Sequence, residues 1–335
     1  MSPRSSSAAS ARGDGLTLGF FALLSAIWGS SYLLIRIGLD EGVPPYTLVS
    51  LRALTGVLFL AVVVRAAGGR LPRTAEAWKR FSVLGLTQIA IPFVLIAWGQ
   101  QHIASGMAGV LNALTPFFAV LVASLVLHDE PVTLARLVGI LVGFGGVVML
   151  ALPGLARVAG GADEALAVVG MAAVVVASLS YAVAAVYTRH RVQGRALIRG
   201  ADGVPRAPTS IEIAFGQLLV GSVVATSLAV LFERPDGGLI ALPSSGVAWL
   251  ALLYLGILGT GVAYVLFFRV ISAWGATRAT LVTYVLPVVA IALGFVVLGE
   301  RLLPLELAGA ALIIAGVVLV NARIGQRVIF GRPAP

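Results

Sequence analysis

Cysteine is absent from this 335-residue chain, which excludes disulfides, thiolate metal sites and cysteine nucleophiles. Charge is almost as scarce. Asp, Glu, Lys and Arg make up 11% of the residues, too few to cover a soluble surface of this size. None of the 14 acidic residues falls in the middle of a long apolar run; Glu212 and Glu306 come nearest, at the starts of runs. The three histidines, His102, His128 and His190, lie near run ends. Pumps that relay protons typically set such a group inside the helix bundle, so no carboxylate relay is expected at mid-membrane. His-Glu-x-x-His, Gly-x-Ser-x-Gly, the Walker lysine pattern and paired buried carboxylates are missing as well. Each of those chemistries needs its residues at that spacing. No catalytic residue, metal site or cofactor is therefore predicted, and direct use of ATP by this chain is not expected.

What the chain does hold is apolar: 59% of its residues, in long runs. A bilayer core of about 30 Å is crossed by about 20 apolar helical residues. Ten runs answer to that length: Leu16–Leu39, Pro45–Arg65, Phe81–Ile103, Ala104–Leu127, Leu134–Leu152, Ala165–Tyr187, Ile211–Phe232, Gly246–Ile271, Ala276–Leu298 and Leu303–Asn321. The composition thus predicts an all-α integral membrane protein with ten transmembrane helices. The first run is too long for a signal-peptide core and no small-residue cleavage site follows it, so it reads as a retained span. Residues 1–15 are polar and are expected to be a disordered tail, with residues 322–335 as a second tail.

The distribution of Lys and Arg sets orientation. With the N-terminus inside, 18 basic residues fall on inner segments and four, Arg36, Arg157, Arg234 and Arg301, on outer ones, while Arg52 lies within a span. Both tails are therefore expected to be cytoplasmic, with the chain in the plasma (inner) membrane. The net charge of +9 becomes a topology signal. A nucleic-acid partner is not expected, because no aromatic residues are interleaved with the charges of the basic stretch from Arg189 to Arg206 for bases to stack on.

The sequence also repeats. Pro287 answers Pro116 at an offset of 171; after one inserted residue, Glu300, Gly309 and Gly316 answer Glu130, Gly139 and Gly146 at 170. Further back, Tyr181 answers Trp28 at 153, Gln217 answers Arg52 at 165, and Gly256 and Tyr264 answer Gly85 and Phe93 at 171. The offsets change only at loops. Residues 16–152 and 165–321 are thus two copies of one five-helix unit. Five is odd, so the second copy enters the membrane inverted. Inverted repeats of this kind characterise secondary transporters, whose halves exchange shapes to open one pathway to either side.

Trp28-Gly29-Ser30-Ser31 in the first helix, together with Pro287, Gly299-Glu300-Arg301, Gly309 and Gly316-Val317, resembles the drug/metabolite transporter superfamily, specifically its EamA family. The resemblance covers Leu16 to Asn321; the first copy departs from it with His128-Asp129-Glu130 where Gly-Glu is usual. It implies transport of a small molecule, often export of amino acids or other metabolites. It also implies a central cavity lined by helices one, three, four, six, eight and nine, with five and ten at the periphery. The expected function is a secondary transporter working by alternating access, with a small-molecule substrate and the lipid bilayer as partners; a homodimer is open. The competing reading is a non-transporting membrane scaffold, which would have a sealed interior, or a membrane-embedded transferase, which would hold clustered acids or histidines.

Residues of the pathway are sought among polar positions inside the spans. Arg52 is the one charge clearly within a span, seven residues from its outer end and so about 10 Å deep. It binds a substrate carboxylate, or it pairs with carbonyls between helices or snorkels outward. Gln88, Asn112, Thr260 and Thr283 are buried amides and hydroxyls whose partner is another helix or a substrate. Trp28, Trp98, Tyr181, Tyr264 and Tyr284 form an apolar wall with polar tips, or are ordinary packing and interfacial residues. Ser31, from the first-helix motif, joins the set. Pro116 and Pro287 break the hydrogen-bond ladder, each freeing a carbonyl and giving a bend, or are packed kinks. Glycines 139, 143, 146, 309 and 316 read as close-packing positions. Glu130 and Glu300 read as cap or loop-anchoring carboxylates near the positive end of the helix that follows, or as gating groups.

Overall fold

The computed structural model describes residues 4–126, 132–157, 162–200, 202–235, 238–274, 282–321 and 328–330. Helix α1 is Arg4–Asp40 and α2 is Pro45–Ala66. Helix α3 runs from Ala75–Leu84 through a π-helical segment, Gly85–Ala90, into Ile91–Gly99. Helix α4 is in two pieces, Ser105–Asn112 and Thr115–Val126. Helix α5 is Leu134–Arg157, α6 is Ala162–Tyr187 with a π-helical end Thr188–Val192, and α7 is Ser210–Phe232. Helix α8 joins Gly246–Leu253, a π-helical segment Tyr254–Val262 and Ala263–Trp274. Helices α9, Val282–Leu298, and α10, Pro304–Asn321, complete the set. Two short antiparallel ladders accompany them: Val132–Thr133 with Val328–Phe330, and Ile198–Arg199 with Pro205–Arg206.

Among the described residues, seven helices are long and apolar enough to cross a membrane, and three apolar helices, Leu141–Leu150, Val285–Leu298 and Pro304–Gly316, are shorter. Two starts differ from expectation. Helix α1 reaches back to Arg4, so most of the stretch expected to be disordered is helical. Extending an existing helix adds a hydrogen bond per residue without a new nucleation cost. Helix α3 begins at Ala75, not Phe81, because Thr74 caps it: the Ala77 amide donates to Thr74 Oγ1 at 3.3 Å. Residues 127–131, which include His128, Asp129 and Glu130, and residues 275–281 lie outside the described residues.

Other ends have local causes too. Helix α2 starts on Pro44-Pro45, where a missing N–H costs nothing. It ends on Gly68 at φ +66°, with Gly68 N donating to Arg65 O and Gly69 N to Val64 O; this paired ending needs the left-handed residue only glycine adopts freely. Thr209 and Glu212 close a capping box on α7.

The packing pairs α5 with α10, α2 with α7, and the first piece of α4 with α9. Helix α1 packs on α9 as α6 packs on α4, and α1 lies against α8 as α6 lies against α3. The π-helical segment of α3 contacts α7, and that of α8 contacts α2. The α5–α10 seam is built on glycine. A Cβ at Gly146 would sit 2.6 Å from Gly309 O, and one at Gly309 2.7 Å from Gly146 O. Only residues without a side chain allow backbones so close. Glu300 accepts from Ser105 N at 2.8 Å, Ser105 Oγ at 2.8 Å and Gly106 N at 3.2 Å. It is a cap, as expected, but on α4 and not on the following helix. Glu233 does the same for α2, accepting from Tyr46 N at 2.9 Å and Thr47 N at 2.6 Å.

Apolar side chains point outward as well as inward. Leu58, Leu125, Phe144, Leu231, Leu250 and Val296 are all exposed, a surface that water does not tolerate over several helices but that lipid does.

Candidate substrate-binding site

A polar cluster sits inside the bundle, and its centre is Arg52 on α2. Arg52 is 7% exposed and Thr260 on α8 is 1% exposed. Arg52 Nε donates to Thr260 Oγ1 at 3.3 Å, and the Thr260 hydroxyl donates to Leu255 O at 2.9 Å. That second bond spans five residues, which the π-helical winding of α8 permits. The Arg52 guanidinium lies 3.9 Å from the centre of the Phe93 ring on α3, a cation–π contact. Tyr32, Tyr181 and Tyr264 stand within electrostatic reach of the guanidinium. Among the described residues no carboxylate pairs with it.

The tyrosines meet the amides predicted from sequence. Tyr264 stands beside Gln88, which lies in the π-helical segment of α3, and Tyr32 stands beside Asn112. Ser178 Oγ on α6 lies 3.3 Å from Asn112 Oδ1 and 3.1 Å from Leu111 O. Trp28 Nε1 donates to Gly259 O at 3.1 Å, and its ring meets Tyr264 edge-on at 6.3 Å and Phe267 at 5.3 Å. Ser31 is buried one turn on and donates to Ile27 O at 3.0 Å. Six helices, α1, α2, α3, α4, α6 and α8, therefore meet at one polar centre lined by aromatic rings.

Eight of the residues singled out from sequence converge here: Trp28, Ser31, Arg52, Gln88, Asn112, Tyr181, Thr260 and Tyr264. Others do not. Trp98 packs edge-on against His102, 4.8 Å between ring centres, near the end of α3. Pro116 follows the break in α4. It has no N–H for the Asn112 carbonyl four residues back, and that carbonyl accepts instead from Thr115 Oγ1 at 2.8 Å; it is occupied, not presented to a cavity. Pro287 is buried in an unbroken α9. Thr283 lies in the first turn of α9, and the side chain of Tyr284 falls outside the described residues. Four members were not foreseen: Tyr32, Phe93, Ser178 and Phe267. Tyr32 is one turn beyond Trp28 and so on the same helix face. Phe93 is the repeat partner of Tyr264. Ser178 carried no distinguishing signal. Helix α2, absent from the expected lining, contributes the charge.

A helical bundle with a lipid-compatible exterior and an aromatic-walled polar centre has the build of a multi-pass membrane transporter. The chain belongs to the EamA-like transporter family, which matches residues 16–152 and again 168–322. It is 31% identical over 303 residues to a protein of Streptantibioticus cattleyicolor named "Probable terminal-alkyne amino-acid exporter", covering 90% of this chain and 92% of that one. It is 28% identical over 304 residues to the "Uncharacterized inner membrane transporter YedA" of Escherichia coli K12, covering 90% of each. A transporter of Archaeoglobus fulgidus is 27% identical over 300 residues, covering 89% of this chain and 96% of that one. One crystal structure, 20% identical, superposes with a TM-score of 0.61 over 94% of this chain and 99% of the other, and so shares the fold.

Proposed function

We propose that this protein carries an amino-acid-like solute out of the cell by alternating access, and that Arg52 holds the solute's carboxylate. The observation that carries the reading is the buried guanidinium, which has no carboxylate partner among the described residues. A charge taken out of water is costly unless an opposite charge meets it. Thr260 and the Phe93 face compensate only in part, and a substrate carboxylate would complete the set. Tyr32, Tyr181 and Tyr264 supply hydroxyls around it, while Trp28, Phe93 and Phe267 supply an apolar wall for the rest of the solute. A relative whose name makes it an amino-acid exporter supports the substrate class and the direction. A scaffold has no need of such a centre. A transferase would be expected to hold acids or histidines where this chain sets a cation and hydroxyls.

Alternating access rests on the arrangement of ten spans as two inverted five-helix copies, residues 16–152 and 165–321. The packing supports it. Exchanging α1–α5 for α6–α10 leaves the pairings α5–α10, α2–α7 and α4–α9 in place, and exchanges α1–α9 with α6–α4 and α1–α8 with α6–α3. The π-helical segments of α3 and α8 fall at the repeat partners Gly85 and Gly256. Both tails on the cytoplasmic side of the inner membrane fit the basic bias and the named location of a relative. The ladder joining Val132–Thr133 to Val328–Phe330 also supports putting the α4–α5 connection and the C-terminal tail on one face.

The test is transport into proteoliposomes of pooled radiolabelled amino acids, with competition by each amino acid and by the amine that lacks its carboxylate. Competition by the acids alone is the expected result. Equal competition by the amines would remove Arg52 from the substrate site.

A further inference from the structure

A second basic site lies at the end of α2, away from the Arg52 centre. A cavity of about 620 Å³ opens beside the α2–α3 turn, with Arg65, Arg70, Arg73 and Arg199 around it and Val64 and Phe215 in its floor. The glycine turn at Gly68-Gly69 makes it. By ending α2 sharply, the turn sends Arg70 and Arg73 back beside Arg65. Arg199 enters from the ladder Ile198–Arg199 with Pro205–Arg206, its Nη1 donating to Gly203 O at 3.2 Å. All four arginines are exposed, and among the described residues none of them has a carboxylate partner.

The neighbouring acid does not neutralise them. Glu212 accepts from Arg206 Nη1 at 2.8 Å, Arg206 Nη2 at 2.6 Å, Arg70 N at 2.7 Å and Thr209 N at 2.8 Å. Its oxygens are fully used, and its charge is matched by Arg206, whose guanidinium those hydrogen bonds hold above its ordinary range. Four guanidiniums crowd one cavity, and no carboxylate among the described residues pairs with them. Guanidinium forks match the oxygens of a phosphate.

The floor and the approach decide between a free phosphate and one attached to a lipid. Free phosphate has no use for an apolar floor. Along α2, Leu58, Val62 and Arg65 follow at four- and three-residue steps and so share one face, and Leu58 and Val62 are among the exposed apolar residues. An acyl chain lying on that stripe would bring its headgroup to Arg65. We propose that this cavity is a headgroup site for an anionic phospholipid, with the phosphate between Arg65, Arg70 and Arg73 and the acyl chains along Leu58 and Val62. Basic pockets beside transmembrane helices take lipid headgroups in this way. The site needs only the placement of the chain in a membrane and is independent of the substrate assigned to Arg52.

The experiment is native mass spectrometry of the purified full chain from mixed micelles holding dioleoylphosphatidylglycerol or dioleoylphosphatidylcholine. Retained phosphatidylglycerol should exceed phosphatidylcholine by about tenfold or more, given the size of each basic contribution near a lipid surface. Combined Arg65→Gln, Arg70→Gln and Arg73→Gln substitutions should abolish the preference, and Lys at the same three positions should keep it. Arg189→Gln, Arg191→Gln and Arg195→Gln together remove the same charge elsewhere and should leave the preference intact. Equal retention of the two lipids would overturn the site. So would an equal loss in both Gln triples, which would mean diffuse charge, or displacement of the lipid by millimolar inorganic phosphate, which would mean a free-anion site.

Discussion

A guanidinium keeps its proton at any pH the protein meets, so Arg52 cannot escape burial by turning neutral as a lysine could. It must be compensated where it lies. Without solute, the compensation is a ring face and one threonine hydroxyl, with three tyrosines nearby. Arg52→Gln should therefore lower transport at subsaturating solute by about 10- to 100-fold, the scale of a charge-assisted hydrogen bond of about 1.5–3 kcal/mol. Thr260→Val, which removes one neutral partner and keeps the charge, should cost less, about 1 kcal/mol. Initial rates over a range of solute concentrations measure both. If Arg52→Gln changes only thermal stability and not the concentration for half-maximal rate, the arginine is structural. Much of this centre was legible as polar residues stranded in apolar runs. Tyr32, Phe93, Ser178 and Phe267 were not, because an aromatic or a serine in a span is commonplace and only the neighbours across the bundle distinguish these four.

At the scale of elements, most helix positions followed from hydrophobic run length, the starts of α1 and α3 excepted, and close packing at Gly146, Gly309 and Gly316 followed from their spacing. The partners did not. Nothing in the run after Glu300 says that its carboxylate turns back to cap α4, because that contact spans 195 residues. The π-helical segments were equally hidden, since a one-residue change of winding leaves no mark on composition. The seam itself makes a sharp prediction. A Cβ at Gly146 would press on the backbone of α10, while one at Gly143 would find its nearest atom 4.0 Å away. Gly143→Ala should leave stability unchanged or slightly raised, whereas Gly146→Ala should lower it by about 1–3 kcal/mol, as overpacking does. Thermal unfolding in one detergent compares them, and equal midpoints would refute the seam. Glu300→Gln should also destabilise, by about 1 kcal/mol, because a charged cap on the positive end of α4 becomes a neutral one.

At the scale of the molecule the question is which ends share a face, and the missing cysteine makes it directly measurable. Any introduced thiol is the only one, so a membrane-impermeant maleimide reports its side without background. On the inverted arrangement proposed above, five helices per copy would put α1 and α6 in opposite directions. The α1–α2 turn and the α7–α8 connection then lie outside, and the α2–α3 and α6–α7 connections inside. Two long-range contacts are compatible with this division: Glu233, just after α7, accepts from Tyr46 N at the start of α2, and Arg80, early in α3, donates to Arg191 O at the end of α6. Glu41→Cys and Ser244→Cys should react in intact cells. Gln193→Cys and Ala196→Cys should react only after the membrane is opened, and so should Ser5→Cys and Ala334→Cys at the two ends. Labelling of the two ends from opposite faces would mean an odd number of crossings. The two copies could not then be related by inversion, and a pathway opened by exchanging their shapes would lose its geometric basis.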